Sequence, residues 1–219
     1  MKSTLVWDWP IRLCHWLIVL LFSGLIYTGK ADEDYMQYHF YMGYMLSAVI
    51  IVRVLYGFYG SRYALFSQFV KQPRHAFNYV KSILAGKPQE YLGHNPLGGL
   101  MTVFLLLVLT LQWITGLFNS DDIFWYGPFS ALLPVSWLSQ MSYIHYALPD
   151  WLIGAAIIHI LAVLYHEFYL KELLTAAMIH GHKKYTKAAR SEVKTPRWGV
   201  VFSLLIGAAW FLALYLMPI

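Results

Sequence analysis

Long apolar blocks organise this chain, in place of the alternating or one-sided patterns of a soluble fold. There are five, Pro10–Thr28, Phe40–Phe58, Leu97–Phe118, Trp151–Tyr169 and Trp198–Met217. Each is close to the roughly 20 residues that an α-helix needs to cross a bilayer. The pattern predicts an all-α integral membrane protein. The first block is too long for a signal peptide, lacks a small-residue cleavage site and follows Trp7 and Trp9, which read as interfacial anchors; it predicts a retained helix. Span four is expected to begin early, near Ser142, because the apolar pattern extends upstream of Pro149. A proline there kinks a helix or marks its first turn.

Between spans two and three lies the longest irregular stretch, Gly60–Asn95. Pro73 opens a helix within it that is predicted to end near Ala85, with Gly86 as its cap. Phe77, Val80, Ile83 and Leu84 share one face, the pattern of a helix lying on the membrane surface. No repeat or low-complexity linker divides the chain. The expectation is one domain over 1–219, with a core at 8–170 and an extra C-terminal helix at 196–217.

Composition agrees: 59% of residues are apolar and 12% charged, against about a quarter charged in soluble domains. The charges are sorted by side. Lys2 and Arg12 precede or open span one. Arg62, Lys71, Arg74, Lys81 and Lys87 lie between spans two and three. Lys171, Lys183, Lys184, Lys187, Arg190, Lys194 and Arg197 follow span four. The opposite side holds Lys30 with Asp32, Glu33, Asp34, Asp121, Asp122 and Asp150. By the positive-inside rule the N-terminus is cytoplasmic and the C-terminus lies outside. The net charge of +5 is thus topology, and nothing resembles a nucleic-acid recognition module. The single cysteine, Cys14, excludes an intrachain disulfide and a CxxCH haem attachment.

Ionisable residues at membrane depth are costly and usually functional. His15, His39, His145 and His159 fall within or at the ends of spans. His145 and His159 are 14 residues apart, about 21 Å of helical rise and roughly 40° short of four turns, so they share a side at two depths. His15 matches the inner depth and His39 the outer. Facing helices can supply both axial ligands of a haem iron. Two bis-His haems follow, His15 with His159 inside and His39 with His145 outside. Arg53 lies 14 residues after His39, facing the bundle at the inner depth. A haem propionate would satisfy it; the alternative is that it snorkels to the surface.

Other residues carry weaker signals. His166 is an alternative inner ligand or, with Glu167, part of a quinone site. His94-Asn95-Pro96 reads as helix-start chemistry, with His94 a weaker quinone candidate. Gln112 and Trp113 suit an interhelical hydrogen bond. His180-Gly181-His182 offers two metal ligands without a third.

Several stretches together resemble the prokaryotic cytochrome b-561 family, related to the b-type cytochrome subunits of nickel-iron hydrogenases: WDWPIRLCHWL at Trp7–Leu17, HFYMG at His39–Gly43 with Arg53 beyond, GSRYALF at Gly60–Phe66, GHNPLGG at Gly93–Gly99, TGLF at Thr115–Phe118, and IHYALPDWLIGAAIIHILAVLYHE at Ile144–Glu167. The resemblance implies a four-helix transmembrane di-haem bundle with two non-covalent b haems, their ligands at His15, His39, His145 and His159. The fifth C-terminal transmembrane helix lies outside the four-helix core of the smallest members. The expected function is electron transfer between the quinone pool and a periplasmic redox partner, a c-type cytochrome first, in the inner membrane of a bacterium. The family leaves open a hydrogenase-like membrane anchor and a superoxide oxidase that reduces quinone. A transporter would predict carboxylates at mid-membrane, and no Asp or Glu lies clearly inside a span.

Overall fold

A computed structural model describes residues 2–87, 89–121, 123–185 and 193–217. Among the described residues five helices are long and apolar enough to cross a membrane: α1 (Trp9–Thr28), α2 (Met36–Tyr59), α5 (Pro96–Leu117), α6 (Val135–Phe168) and α8 (Arg197–Tyr215). Two short helices, α3 (Phe66–Phe69) and α4 (Pro73–Leu84), fill the connection between α2 and α5, and α7 (Leu174–His180) follows α6. The protein is a helical membrane bundle. The start of α1 and the ends of α2 and α6 gather at its basic end, and the α1–α2 and α5–α6 connections form its acidic end.

The observed helices exceed the apolar blocks where polar residues continue a turn. α2 starts at Met36, which places His39 inside helical structure. α6 reaches back to Val135, beyond the expected start near Ser142, and carries Pro149 in its interior, not its first turn. α4 ends with Ala85 as its cap, and Gly86 follows at φ +67°, a conformation glycine adopts without penalty. Its Phe77 and Leu84 are exposed as a surface helix requires, while Ala76 and Tyr79 are buried towards the bundle.

The main pairings run from α1 to α2, α2 to α5 and α5 to α6, and α8 lies along α2. That last contact is close because Gly207 has no side chain. A Cβ there would stand 2.5 Å from Val52. Near the acidic end Trp210 of α8 packs edge-on against Trp113 of α5, with centroids 5.7 Å apart, and its Nε1 donates to Ser47 Oγ at 2.8 Å. The fifth helix therefore backs the α2–α5 wall.

One element has no precursor in the apolar pattern. β1 (Lys2–Leu5) pairs antiparallel with β2 (His182–Tyr185), Leu5 opposite His182. Gly181, at φ +88°, accepts hydrogen bonds from the Val6 and Trp7 N–H groups through its carbonyl. Arg12 donates to the Ile179 carbonyl. The segment after α6 is thereby fastened over the start of α1.

Candidate functional site

At the acidic end α2 and α6 bring His39 and His145 together, ring centroids 6.3 Å apart and planes 86° to one another. Two imidazoles on opposite sides of one metal ion stand about 6 Å apart centre to centre, from metal–nitrogen bonds of about 2 Å and about 1 Å more to each ring centre. Each ring's tautomer is set from behind. The Thr28 hydroxyl donates to the Gly24 carbonyl at 2.9 Å, so it accepts from His39 Nδ1 at 3.1 Å. His145 Nδ1 donates to the Gln112 carbonyl at 3.0 Å. With Nδ1 as the donor in each ring, Nε2 is left unprotonated, the form a metal ligand needs. Gly116 makes room for the second ring, since a Cβ there would lie 2.8 Å from His145 Cε1.

Around this pair lies a cavity of about 250 Å³, walled by Phe22 and Leu25 of α1, Gly43 and Leu46 of α2, Leu109 and Trp113 of α5, and Leu152 of α6. Gly43 is four residues beyond His39 on the same face, and a Cβ there would meet nothing within 4 Å. Tyr44 and Trp113 belong to the wall, and their Oη and Nε1 are buried without a hydrogen-bond partner among the described residues. Among the described residues no group of three or more His, Cys, Asp or Glu forms a metal cage. Two imidazoles alone would hold a metal that brings its other ligands with it, as a haem does, and the apolar walls would suit such a group.

At the basic end His15 of α1 and His159 of α6 lie within electrostatic reach of one another. Arg53 does not snorkel: it is 6% exposed, stacks over Phe66 at 5.5 Å, and its Nη1 has no partner among the described residues. Its charge is met in part by Asp8, itself 1% exposed, which accepts a hydrogen bond from the Tyr56 hydroxyl. Asp8 stands at the N-cap of α1 yet makes no cap bond. Its side chain is spent on the buried cluster, a role the local sequence hides behind ordinary helix-start chemistry. Among the described residues one oxygen of Asp8 and one nitrogen of Arg53 are buried without a hydrogen-bond partner, an arrangement that is costly unless a further polar group meets them.

His94 joins this end. It is wedged between Trp7 and Phe69, with centroids at 4.7 and 4.4 Å, near Arg53 and His159. Burial, helped by the Arg53 and His159 charges, pushes its pKa down to about 3, so the ring is neutral near pH 7. It is His159, not His166, that lies within reach of His15.

His166 is buried in a separate polar cluster. It stacks on Tyr79 with centroids 6.4 Å apart, Nε2 approaches the Asn95 side chain at 3.5 Å, and Nδ1 faces Glu172 at 3.6 Å. Glu172 also pairs with Lys183 at 2.8 Å, and Lys183 donates to the Tyr91 carbonyl. Burial alone would raise the Glu172 pKa, but the His166 and Lys183 contacts outweigh it and hold the carboxyl below its usual range. The expected acid beside His166 was Glu167. That residue instead accepts the Thr175 N–H at 2.8 Å. No local pattern marks Glu172, Lys183 or Tyr79, because folding alone brings them to His166.

The remaining expectations resolve simply. Gln112 makes the expected interhelical bonds, to His145. His180 and His182 bond one another locally, the His182 N–H donating to His180 Nδ1 at 3.1 Å, and gather no third ligand among the described residues. Asp32, Asp34 and Asp150 are exposed at the acidic end. Asp121 is tied into its loop by the Ile123, Phe124 and Trp125 N–H groups at 2.8–3.0 Å. Asp122 and the Glu33 side chain lie outside the described residues.

Comparison with known proteins adds an independent line. The model of the family described as Prokaryotic cytochrome b561 matches residues 6–181. A "Probable Ni/Fe-hydrogenase B-type cytochrome subunit" of Rhodobacter capsulatus is 27% identical, over 84% of this chain and 82% of the relative. One from Bradyrhizobium diazoefficiens is 26% identical over 82% and 85%. The "Probable Ni/Fe-hydrogenase 1 B-type cytochrome subunit" of Escherichia coli K12 is 24% identical over 87% and 95%. No solved structure matches.

Proposed function

From the premise that this chain belongs to the prokaryotic cytochrome b561 family, we propose that it carries electrons across the bilayer through two bis-His b haems, between a protein partner at its acidic end and quinone at its basic end. Membership makes it a membrane b-type cytochrome with haem b as cofactor. In the proposal His39 and His145 hold one haem and His15 and His159 the other. Each haem supplies a one-electron ferric/ferrous couple, and the residues around it do the rest. Thr28 and the Gln112 carbonyl keep the acidic-end imidazoles in the ligating tautomer. Arg53, whose Nη1 has no partner among the described residues, would take a propionate at the basic end, where Asp8 offsets part of its charge. The observation that carries the proposal is the facing of His39 and His145 at the centre-to-centre spacing of axial ligands, in an apolar cavity walled by four helices.

The basic end suits a quinone because Asn95, Tyr79 and His166 place hydrogen-bonding groups together, with Glu172 beyond them towards solvent. The named relatives favour a hydrogenase-like catalytic subunit as the protein partner, with this chain as its membrane anchor. A basic c-type cytochrome is the second reading, favoured by exposed Asp32, Asp34 and Asp150. The charge pattern puts the basic end in the cytoplasm and the acidic end outside.

Haem counting on purified variants tests the core of this. His39→Ala or His145→Ala should remove one haem, His15→Ala or His159→Ala the other, and His39→Ala with His159→Ala both. If His15→Ala and His145→Ala together cost one haem, the pairing is refuted. His166→Phe should slow reduction by a quinol analogue while dithionite reduction and haem content stay intact; haem loss there would make His166 a ligand. A steep fall in electron transfer to a basic c-type cytochrome with rising salt would decide for the second partner.

A further inference from the structure

Residue 149 sits where an α-helix should close a hydrogen bond onto the ligand residue His145. In a regular helix the N–H of residue 149 donates to the carbonyl of residue 145. Proline has no N–H, and its ring crowds that same carbonyl. Yet α6 runs unbroken from Val135 to Phe168 with Pro149 inside. A carbonyl stripped of its helical partner at membrane depth must find another.

It finds Gln112 of α5. The Gln112 side-chain amide donates to the His145 carbonyl at 3.1 Å. The same residue's backbone carbonyl accepts His145 Nδ1–H at 3.0 Å. Residues 112 and 145 are thus joined by two reciprocal bonds, one fixing the backbone of the ligand residue and one its imidazole. Gly116, a turn later on α5, leaves the space the ring occupies.

We infer that Pro149 and Gln112 form one positioning device for the acidic-end haem: the proline frees the His145 carbonyl so that Gln112 can lock the ligand's backbone to α5, and so fix the orientation of its ring. The inference rests on His145 being a haem ligand. Gln112 is a positioning residue, since it touches the ligand and not the iron.

The test is a double-mutant cycle on the full-length holoprotein, with Gln112→Met, Pro149→Ala and the pair. Methionine keeps length and loses the donor, while alanine returns an N–H to the His145 carbonyl. Two readouts are taken, haem transfer to apomyoglobin and the low-spin ferric EPR signal of the acidic-end haem, whose position follows imidazole orientation. Gln112→Met alone should weaken retention of that haem by roughly tenfold, the cost of an orphaned buried acceptor, and shift its EPR signal. In the Pro149→Ala background the same substitution should cost much less, because the helix now satisfies the carbonyl. If Gln112→Met abolishes haem binding outright, regain of haem in the double variant carries the same meaning, and failure to regain it overturns the inference. Equal effects in both backgrounds, or none, also overturn it. His145→Ala separates the two levels. Loss of one haem there with an additive cycle refutes the device alone, and an unchanged haem count refutes the ligand assignment beneath it.

Discussion

Thr28→Val is the sharpest single perturbation of the haem centre proposed at His39 and His145. It is nearly isosteric and deletes the hydroxyl that accepts His39 Nδ1–H at 3.1 Å, together with that hydroxyl's own bond back to the Gly24 carbonyl of α1. Thr28 is 3% exposed, so water does not readily replace it. A hydrogen bond to Nδ1–H pushes electron density onto the ligating nitrogen and favours ferric iron. Removing it should therefore raise the midpoint potential. The bond is worth about 0.5–1.5 kcal/mol net, and about 1.4 kcal/mol corresponds to about 59 mV for one electron. The whole bond energy would correspond to about 20–60 mV, and only the part that differs between oxidation states counts, so a smaller rise than that is expected at the haem proposed on His39 and none at the other. Spectroelectrochemical titration of the α-band resolves this, with haem content as the control. A fall in potential, or equal shifts at both haems, would break the link between this hydroxyl and the His39 ligand.

Two other outcomes follow from the basic end. Arg53→Leu should lower the potential of the haem proposed at His15 and His159, because a buried cation favours the less positive ferrous centre, and Asp8→Asn should raise it; a redox titration in which neither moves would show that this pair faces no haem. The Glu172 carboxyl titrates below its ordinary 4.5, so its contribution is full above that pH and is lost as pH falls through the depressed folded value. Hydrogen exchange in α7 and β2 should accelerate over that window and stay flat in Glu172→Gln, whereas identical profiles for both proteins would assign the loosening elsewhere.

Much of this molecule was settled by one-dimensional pattern. Five spans follow from block length, because lipid offers the backbone no hydrogen bonds and forces it into helices. Four histidines and Arg53 stand out because polar groups at that depth need a reason, and a constant helical rise converts their spacing into depth. Helix ends were less legible: α2 and α6 begin in polar turns that hydropathy does not register. The tertiary structure alone decided which groups far apart in sequence complete each site. Asp8 reads locally as a helix cap, and only the packing of α1 on α2 sets it against Tyr56 and Arg53. Glu172 replaces the adjacent Glu167 beside His166 because the chain folds back after α6 and is fastened there by β2. Pro149 reads as a kink, and its use emerges only where α5 brings Gln112 to the carbonyl it leaves free. Periodicity and hydropathy are properties of a single segment, so a sequence can carry them openly. A hydrogen bond between segments depends on how two helices rotate and slide against each other, and that is set by all their contacts at once.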